Sequence, residues 1–401
     1  MLRSVSFLTI EVPFYSFEKY ISYDFCYMVL MLVRFNIVYN EFFTFMSHND
    51  NKDLDLLLTV TWKDDSVVLI DQTKLPNKLA YVRCKDYKEV ANAIKNLVVR
   101  GAPAIGIAAA LGLALAAIHS KAESLSQLLT DLDAAMKILQ STRPTAINLF
   151  WALKRVMEKA KEKKNMVEVK KAILNEALKM LKDDIKINKR IGRNGAKLFE
   201  NGDVVMTHCN AGSLATAAYG TALGVIRAAV DDGKRVTVIA TETRPVMQGS
   251  RLTTFELHHD GIDVSLIPDT AVGFTMSRGA IKRVIVGADR ILRTGHVFNK
   301  IGTYQVAIMA KIHRIPFYVA APFSTFDFES NLEDITIEER SKEEVTMMGK
   351  KRIVPEGVRV FNPAFDVTPP ELITGIITER GILNPPFEKE LELMRSNDNT
   401  S

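Results

Sequence analysis

The second half of this chain alternates short apolar runs with helix-like stretches, and that alternation restricts its fold more than any other feature. Apolar runs fall at 204–207, 235–240, 263–267, 283–286 and 317–320, with helical patterns at 214–230, 250–260, 271–278 and 303–313 between them. Parallel strands need crossover connections, and helices on both faces explain why the strands are apolar throughout. The pattern therefore predicts a Rossmann-like, doubly wound parallel sheet. Ligands in such sheets bind beyond the carboxyl ends of the strands. The residues there are Cys209-Asn210, Thr241-Glu242-Thr243-Arg244, Pro268-Asp269, Gly287-Ala288-Asp289-Arg290 and Ala321-Pro322. Nearly every end carries a polar or reactive group.

Cys209 stands out among them. The stretch from Val204 to Thr216 predicts a strand, a tight turn at Cys209-Asn210-Ala211-Gly212 and a helix opening at Ser213. Ser213 suits a helix cap, and Gly212 allows a sharp turn. A thiol facing a helix N-terminus is more acidic than a free one and can do chemistry. The competing reading is a buried structural cysteine. Asp289 leaves an apolar strand, where burial raises a carboxyl pKa and suits it to general acid work; it could equally cap a helix or pair with Arg290. Asn299 and Lys300 follow closely, and Gln248 to Arg251 opens a helix after the second strand. No Rossmann phosphate fingerprint follows any strand. His258 and His259 are adjacent, point apart and do not make a metal pair.

The first half reads as a mostly helical domain with a small β-hairpin. Strand-like runs at 56–62 and 66–71 flank Lys63, Asp64 and Asp65, and helices are predicted at 87–99, 102–118, 125–140, 146–163 and 167–199. The 17 uncharged residues of 102–118 are just short of a membrane span, and their alanines and glycines suit a closely packed buried helix. Pro103 fits a first helical turn, leaving Arg100 and the amides of Gly101 and Ala102 facing outward together. That arrangement suits a phosphate, although packing alone would also account for it. Arg143, in the loop 141–148, is either an anion contact or a solvated surface residue. The charged run 337–345 is expected as a solvated helix rather than a lid.

Composition narrows the function classes. The 401 residues carry 52 basic and 47 acidic side chains, well mixed, for a net charge of +5. This gives no case for nucleic-acid binding but leaves room for a basic pocket. Cys26, Cys84 and Cys209 form neither a disulfide framework nor a zinc site, which points to a reducing compartment and a cytoplasmic protein. Residues 1–45 are rich in Phe and Tyr without a clean period; their apolar part is too short for a membrane span and poorly placed for a signal peptide. They are expected to be an extension outside the fold, with Met46 as the natural start. Mass spectrometry of the endogenous protein tests this, and an intact N-terminus at Met1 would overturn it. The expected organisation is extension 1–45, helical domain 46–195, Rossmann-like catalytic domain 196–390 and polar tail 391–401.

Taken together the motifs are specific. They are RGAPAIG at 100–106, RPT at 143–145, CNAGS at 209–213, ETRPVMQGSRL at 242–252, GADR at 287–290, NKIG at 299–302 and NPAFDVT at 362–368. In this order, over about residues 55–385, the chain resembles the methylthioribose-1-phosphate isomerase family, of the superfamily that includes the regulatory subunits of eukaryotic initiation factor 2B. The resemblance implies an intramolecular oxidoreductase of methionine salvage, converting 5-methylthioribose 1-phosphate to the ketose methylthioribulose 1-phosphate. The phosphate on C1 blocks the free aldehyde that ordinary sugar isomerases use. Something must protonate the ring oxygen, open the ring and move a hydrogen from C2 to C1. By resemblance Asp289 is the acid/base residue. Cys209 acts at the carbons, as a base or as stabiliser of a hydride shift. Arg100, Gly101, Ala102, Arg143, Gln248, Asn299 and Lys300 match the substrate contacts. No metal or cofactor is implied; the partners implied are a small phosphosugar and a second copy in a homodimer, with no nucleic acid or membrane. The alternatives are a ribose-1,5-bisphosphate isomerase, which shares the cysteine and aspartate, and a non-catalytic regulatory subunit, which needs neither.

Overall fold

Asp64 and Asp65 both take left-handed backbone angles, with φ of 48° and 47°. Two such residues make the hairpin turn whose twist matches its strands, and Asp tolerates that region. They join β1 (Val60–Lys63) to β2 (Ser66–Ile70), and β3 (Tyr81–Cys84) completes a small antiparallel sheet. The structure, a computed structural model, describes residues 56–143 and 146–398, which belong to one compact unit running from Asp55. The expected extension 1–45 and the start at Met46 lie outside the described residues.

Helix α1 (Tyr87–Lys95) is capped by the Asp86 carboxylate, which accepts from the amides of Lys88 and Glu89 at 2.8 and 2.9 Å. Helix α2 (Ala102–His119) is apolar all round and buried along nearly its whole length, as such a sequence requires. It is the one described helix long and apolar enough to cross a membrane. It packs against α4 (Ile147–Lys161) and α5 (Met166–Ala196), while α3 (Leu125–Gln140) closes the layer. Alanines and glycines permit the close approach.

Beyond Ala196 the chain builds the expected parallel sheet. Strands β4 (Asp203–Thr207), β5 (Val236–Thr241) and β6 (Asp263–Ile267) run outward, with α6 (Ala222–Asp231) and α7 (Thr254–His259) between them. Following α8 (Val272–Ser277), the chain returns to the other side of β4 as β7 (Arg283–Val286). It continues through β8 (Arg290–Leu292), β9 (Val297–Lys300), α9 (Thr303–Ile312), β10 (Phe317–Ala320) and β11 (Phe326–Asp327). Next come α10 (Glu343–Thr346), β12 (Met347–Met348), β13 (Lys351–Arg352), β14 (Phe365–Thr368), β15 (Gly375–Thr378), β16 (Gly381–Leu383) and α11 (Phe387–Asp398).

The main sheet has the order β16-β15-β10-β7-β4-β5-β6, parallel except for β16. Side chains alternate across it. Val205 and Ile285 enter the core on one face; Met206, Val284 and Val286 enter the core on the other. The order of connection reverses between β4 and β7, which is where such sheets open a crevice. A second sheet, β11-β8-β9-β14, contributes Asn299, Lys300 and Phe365 to the cavity lining and was not anticipated; nor was β15, whose Ile376 and Ile377 are fully buried.

Three expectations about elements need correction. No helix spans 214–230: a single 3-10 turn covers Ser213–Ala215, and α6 starts only at Ala222. The Ser213 and Leu214 amides donate to Glu256 at 2.6 and 3.1 Å, while Tyr219 and Gly220 turn left-handed at φ 76° and 86°. Tertiary partners override the helical propensity of the small residues. The charged run 337–345 is non-helical up to residue 341, turns at Lys342 and is helical only from Glu343. Its backbone pairs with 362–364 instead, through Arg340 N to Asn362 O at 2.9 Å and Ala364 N to Glu338 O at 2.8 Å. The segment expected as a polar tail from 391 begins inside α11, with Leu391 buried in the core.

Candidate active site

Cys209 and Asp289 leave adjacent strands at the point where the sheet reverses. Cys209 follows β4 with φ of 62°, a left-handed turn that lifts the thiol out of the strand line. Its amide donates to Thr243 Oγ1 at 2.9 Å, and its carbonyl accepts from Thr253 Oγ1 at 2.6 Å. Asp289 follows β7, and its amide donates to the Phe298 carbonyl at 2.9 Å, tying it to β9.

All nine residues singled out from the sequence line one cavity of about 600 Å³: Arg100, Gly101, Ala102, Arg143, Cys209, Gln248, Asp289, Asn299 and Lys300. Gly101 is the N-cap of α2, with φ 97° and ψ 134°, a conformation essentially restricted to glycine. It also needs the space, since a Cβ there would stand 2.5 Å from the Cα and carbonyl oxygen of Ala215. The helix opens with no side-chain cap among the described residues, and its start, Gly101 and Ala102, lines the cavity.

Cations surround the cavity. Arg100 donates through Nε to Gln72 Oε1 at 3.2 Å and through Nη1 to the Asn210 carbonyl at 3.0 Å. Lys300 donates to the Ala364 carbonyl at 2.9 Å and lies 4.3 Å from the centre of the Phe365 ring. Arg143 meets Glu338 at 3.5 Å, and its Nε is buried with no hydrogen-bond partner among the described residues. The Gln248 Oε1 is likewise buried with no partner among the described residues. Asn299 Nδ2 donates to Thr303 Oγ1 at 3.1 Å.

Burial drives the proton affinities. It pushes the Asp289 carboxyl above its ordinary range, against the opposing pull of Lys300, Arg143 and Arg100, and Glu338 adds to the rise. Burial lowers the proton affinity of Arg100 and of Lys300, although Cys209 and Asp289 oppose that shift. It also pushes the Cys209 thiol up, with Arg100 and Lys300 pulling it back. The acidic thiol expected from a helix N-terminus is therefore corrected: no regular helix starts at Cys209, and desolvation wins over the nearby cations.

Further lining residues were not singled out, among them Gln72, Asn210, Arg251, Arg340 and Phe365. Arg251 Nη2 donates to the carbonyls of Gln72 and Leu75 at 2.8 and 3.2 Å, clamping the loop after β2 to the start of α7. Arg340 comes from the run expected to be solvated helix. Gln72, Asn210 and Arg340 sit in loops, where no periodic signal marks which side chain turns inward, while Arg251 lies in a single π-helical turn and Phe365 opens β14. Among the described residues, no group of three or more His, Cys, Asp or Glu is placed to hold a metal ion.

A crevice at the switch point of a parallel sheet, lined by a thiol, a carboxyl whose proton affinity is raised by burial and several cations, defines an enzyme-like site for a small anion. The chain belongs to the initiation factor 2 subunit family, whose model matches residues 98–385. Within reach of it, the methylthioribose-1-phosphate isomerase of Thermosipho africanus is 54% identical over 336 residues, 84% of this chain and 97% of that protein. The crystal structure of 5-methylthioribose 1-phosphate isomerase from Pyrococcus horikoshii matches with a TM-score of 0.80 at 46% identity, covering 85% of this chain and 96% of that one. A crystal structure described as translation initiation factor eIF-2B, subunit delta, from A. fulgidus matches with a TM-score of 0.75 at 52% identity, covering 83% and 97%.

Proposed function

We propose that this chain is an aldose–ketose isomerase that converts 5-methylthioribose 1-phosphate to 5-methylthioribulose 1-phosphate, a step of methionine salvage. The observation that carries this is the meeting of Cys209 and Asp289 at the switch point, inside one cation-lined cavity, in a chain about half identical to relatives of that name.

The phosphate binds at the open start of α2, on the amides of Gly101 and Ala102, with Arg100, Arg143 and Lys300 beside it. An arriving dianion offsets the desolvation that lowers the proton affinity of Arg100 and Lys300. Gln248 and Asn299 bond the sugar hydroxyls. Asp289, its proton held by burial, gives that proton to the ring oxygen as the C1–oxygen bond breaks. The hydrogen on C2 then moves to C1 with its electron pair, and the C2 hydroxyl returns a proton to the Asp289 carboxylate as it becomes a ketone. Atoms and charge balance, and the acid is regenerated. A thiol kept protonated by burial is a poor base, which favours this hydride route over abstraction of the C2 proton by Cys209. On this route Cys209 packs against the reacting carbons and excludes water. By analogy with the family, the chain works as a homodimer in the cytoplasm.

Turnover of 5-methylthioribose 1-phosphate and ribose 1,5-bisphosphate, compared in the wild type, Cys209→Ser and Asp289→Asn, tests the assignment. Conversion of the first substrate alone, lost in both variants, is expected. Preference for the bisphosphate would make this the other isomerase, and activity on neither would leave a regulatory subunit. Run in D₂O, the hydride route leaves C1 of the product free of deuterium, whereas deuterium at C1 would return Cys209 to the role of base.

A further inference from the structure

We propose that Glu256 is a positioning residue of this site, acting through Asn210 on Arg100. Glu256 lies in α7, is fully buried, and belongs to none of the sequence motifs that point to substrate.

Its carboxylate is surrounded by donors. Oε1 accepts from Asn210 Nδ2 at 2.8 Å and from the Leu214 amide at 3.1 Å. Oε2 accepts from the Ser213 amide at 2.6 Å and from Arg227 Nη2 at 2.8 Å. Arg227 is itself buried and also bonds Asp260 through Nε at 2.7 Å, so the charge on Glu256 is balanced at its back. Gly212 has no room for a side chain because this carboxylate fills the space, with Oε2 standing 2.2 Å from where a Cβ would be.

The consequence falls on Asn210. A carboxylate only accepts, so the Asn210 amide must turn its nitrogen toward Glu256 and its oxygen the other way. That oxygen and the Asn210 carbonyl both accept from the Arg100 guanidinium. The chain of contacts therefore runs from a buried charge pair, through one amide in a fixed orientation, to the arginine at the mouth of α2. Because Asn210 directly follows Cys209, the same link sets the distance between the anion-binding end of the cavity and the thiol. A core carboxylate placed for stability alone would not need to orient a group in the cavity. The inference rests on the isomerase reading only in taking Arg100 as a phosphate contact.

The test is a double-mutant cycle on the full chain, with Glu256→Gln, Asn210→Ala and Arg100→Lys made singly and in pairs. Two quantities are read: calorimetric affinity for inorganic phosphate, and KM and kcat for the phosphosugar. Glu256→Gln and Asn210→Ala should each weaken phosphate binding and raise KM about tenfold, the scale of a lost charge-assisted hydrogen bond. In the Arg100→Lys background they should add little, since the group they orient is already gone. Losses that multiply in full, in variants whose melting shows a native fold, would overturn the inference, as would Arg100→Lys with unchanged phosphate affinity. If Glu256→Gln fails to fold, Glu256→Asp, which keeps the charge but shortens its reach to Asn210, takes its place in the cycle with the same expected and refuting outcomes. If the wild type does not isomerise the sugar phosphate, the functional reading fails while the phosphate cycle still decides this one.

Discussion

Adding a single methyl group at Gly101 should cost activity well beyond what it costs in stability, and the two contributions can be separated. Gly101→Ala meets two obstacles. Its backbone angles, φ 97° and ψ 134°, are strained for any residue with a Cβ, at about 1–3 kcal/mol. Its Cβ would also lie 2.5 Å from backbone atoms of Ala215, so α2 and the 213–215 turn must part by about 1 Å to reach ordinary contact. That turn follows directly on the Cys209 loop, and a displacement of this size at a reacting centre costs about 100-fold in rate. Gly202→Ala is the control. Gly202 has φ 91° but nothing within 4 Å of its Cβ position, so it reports backbone strain without the clash. Thermal melts and steady-state kinetics on both variants make the comparison. Gly202→Ala should lose stability of order 1 kcal/mol and keep its kcat/KM. Gly101→Ala should lose at least as much stability and about two decades of kcat/KM. Wild-type kcat/KM in Gly101→Ala would refute the reasoning, because α2 could then not be held against the cysteine loop as closely as described.

Two further outcomes follow from buried titratable groups. Burial raises the Asp184 carboxyl from 3.8 to about 7, against the bonds it accepts from Ala217 N and Asn188 Nδ2. The folded state therefore holds a proton that the unfolded chain releases, and stability should fall as pH rises from about 4 toward about 7. Asp184→Asn should flatten that part of the stability–pH curve in denaturant titrations, and an unchanged slope would count against it. Cys209, buried and pushed up in pKa, should be alkylated by iodoacetamide at pH 7 at least ~10-fold more slowly than free cysteine, as followed by peptide mapping. Faster alkylation than free cysteine would restore the acidic-thiol reading.

Several features were legible without coordinates because local physics decides them. Strands such as Asp263–Ile267 and Arg283–Val286 and the helix Leu125–Gln140 appear with the limits the pattern indicates. The hairpin at Asp64-Asp65 and the buried α2 follow equally from turn chemistry and from apolarity all round. Arg290–Leu292 escaped because three residues hold no period, and Gly375–Thr378 because only Ile376 and Ile377 in it are apolar. The 214–230 stretch misled because its propensity was read without Glu256, a partner that only the fold brings near.

By itself the sequence determined the alternation of strands and helices, hence a parallel sheet with its chemistry at the carboxyl ends, and the residue types available there. Both are local properties, carried by hydrophobic period and by which side chains can bond or hold a proton. Only the tertiary structure decided that β7 returns beside β4, which brings Cys209 and Asp289 from 80 positions apart to neighbouring strand ends. Only it decided that desolvation outweighs Arg100 and Lys300 in setting the proton affinity of the thiol. Adjacency and desolvation depend on every element packed around a group, so no window of sequence contains them.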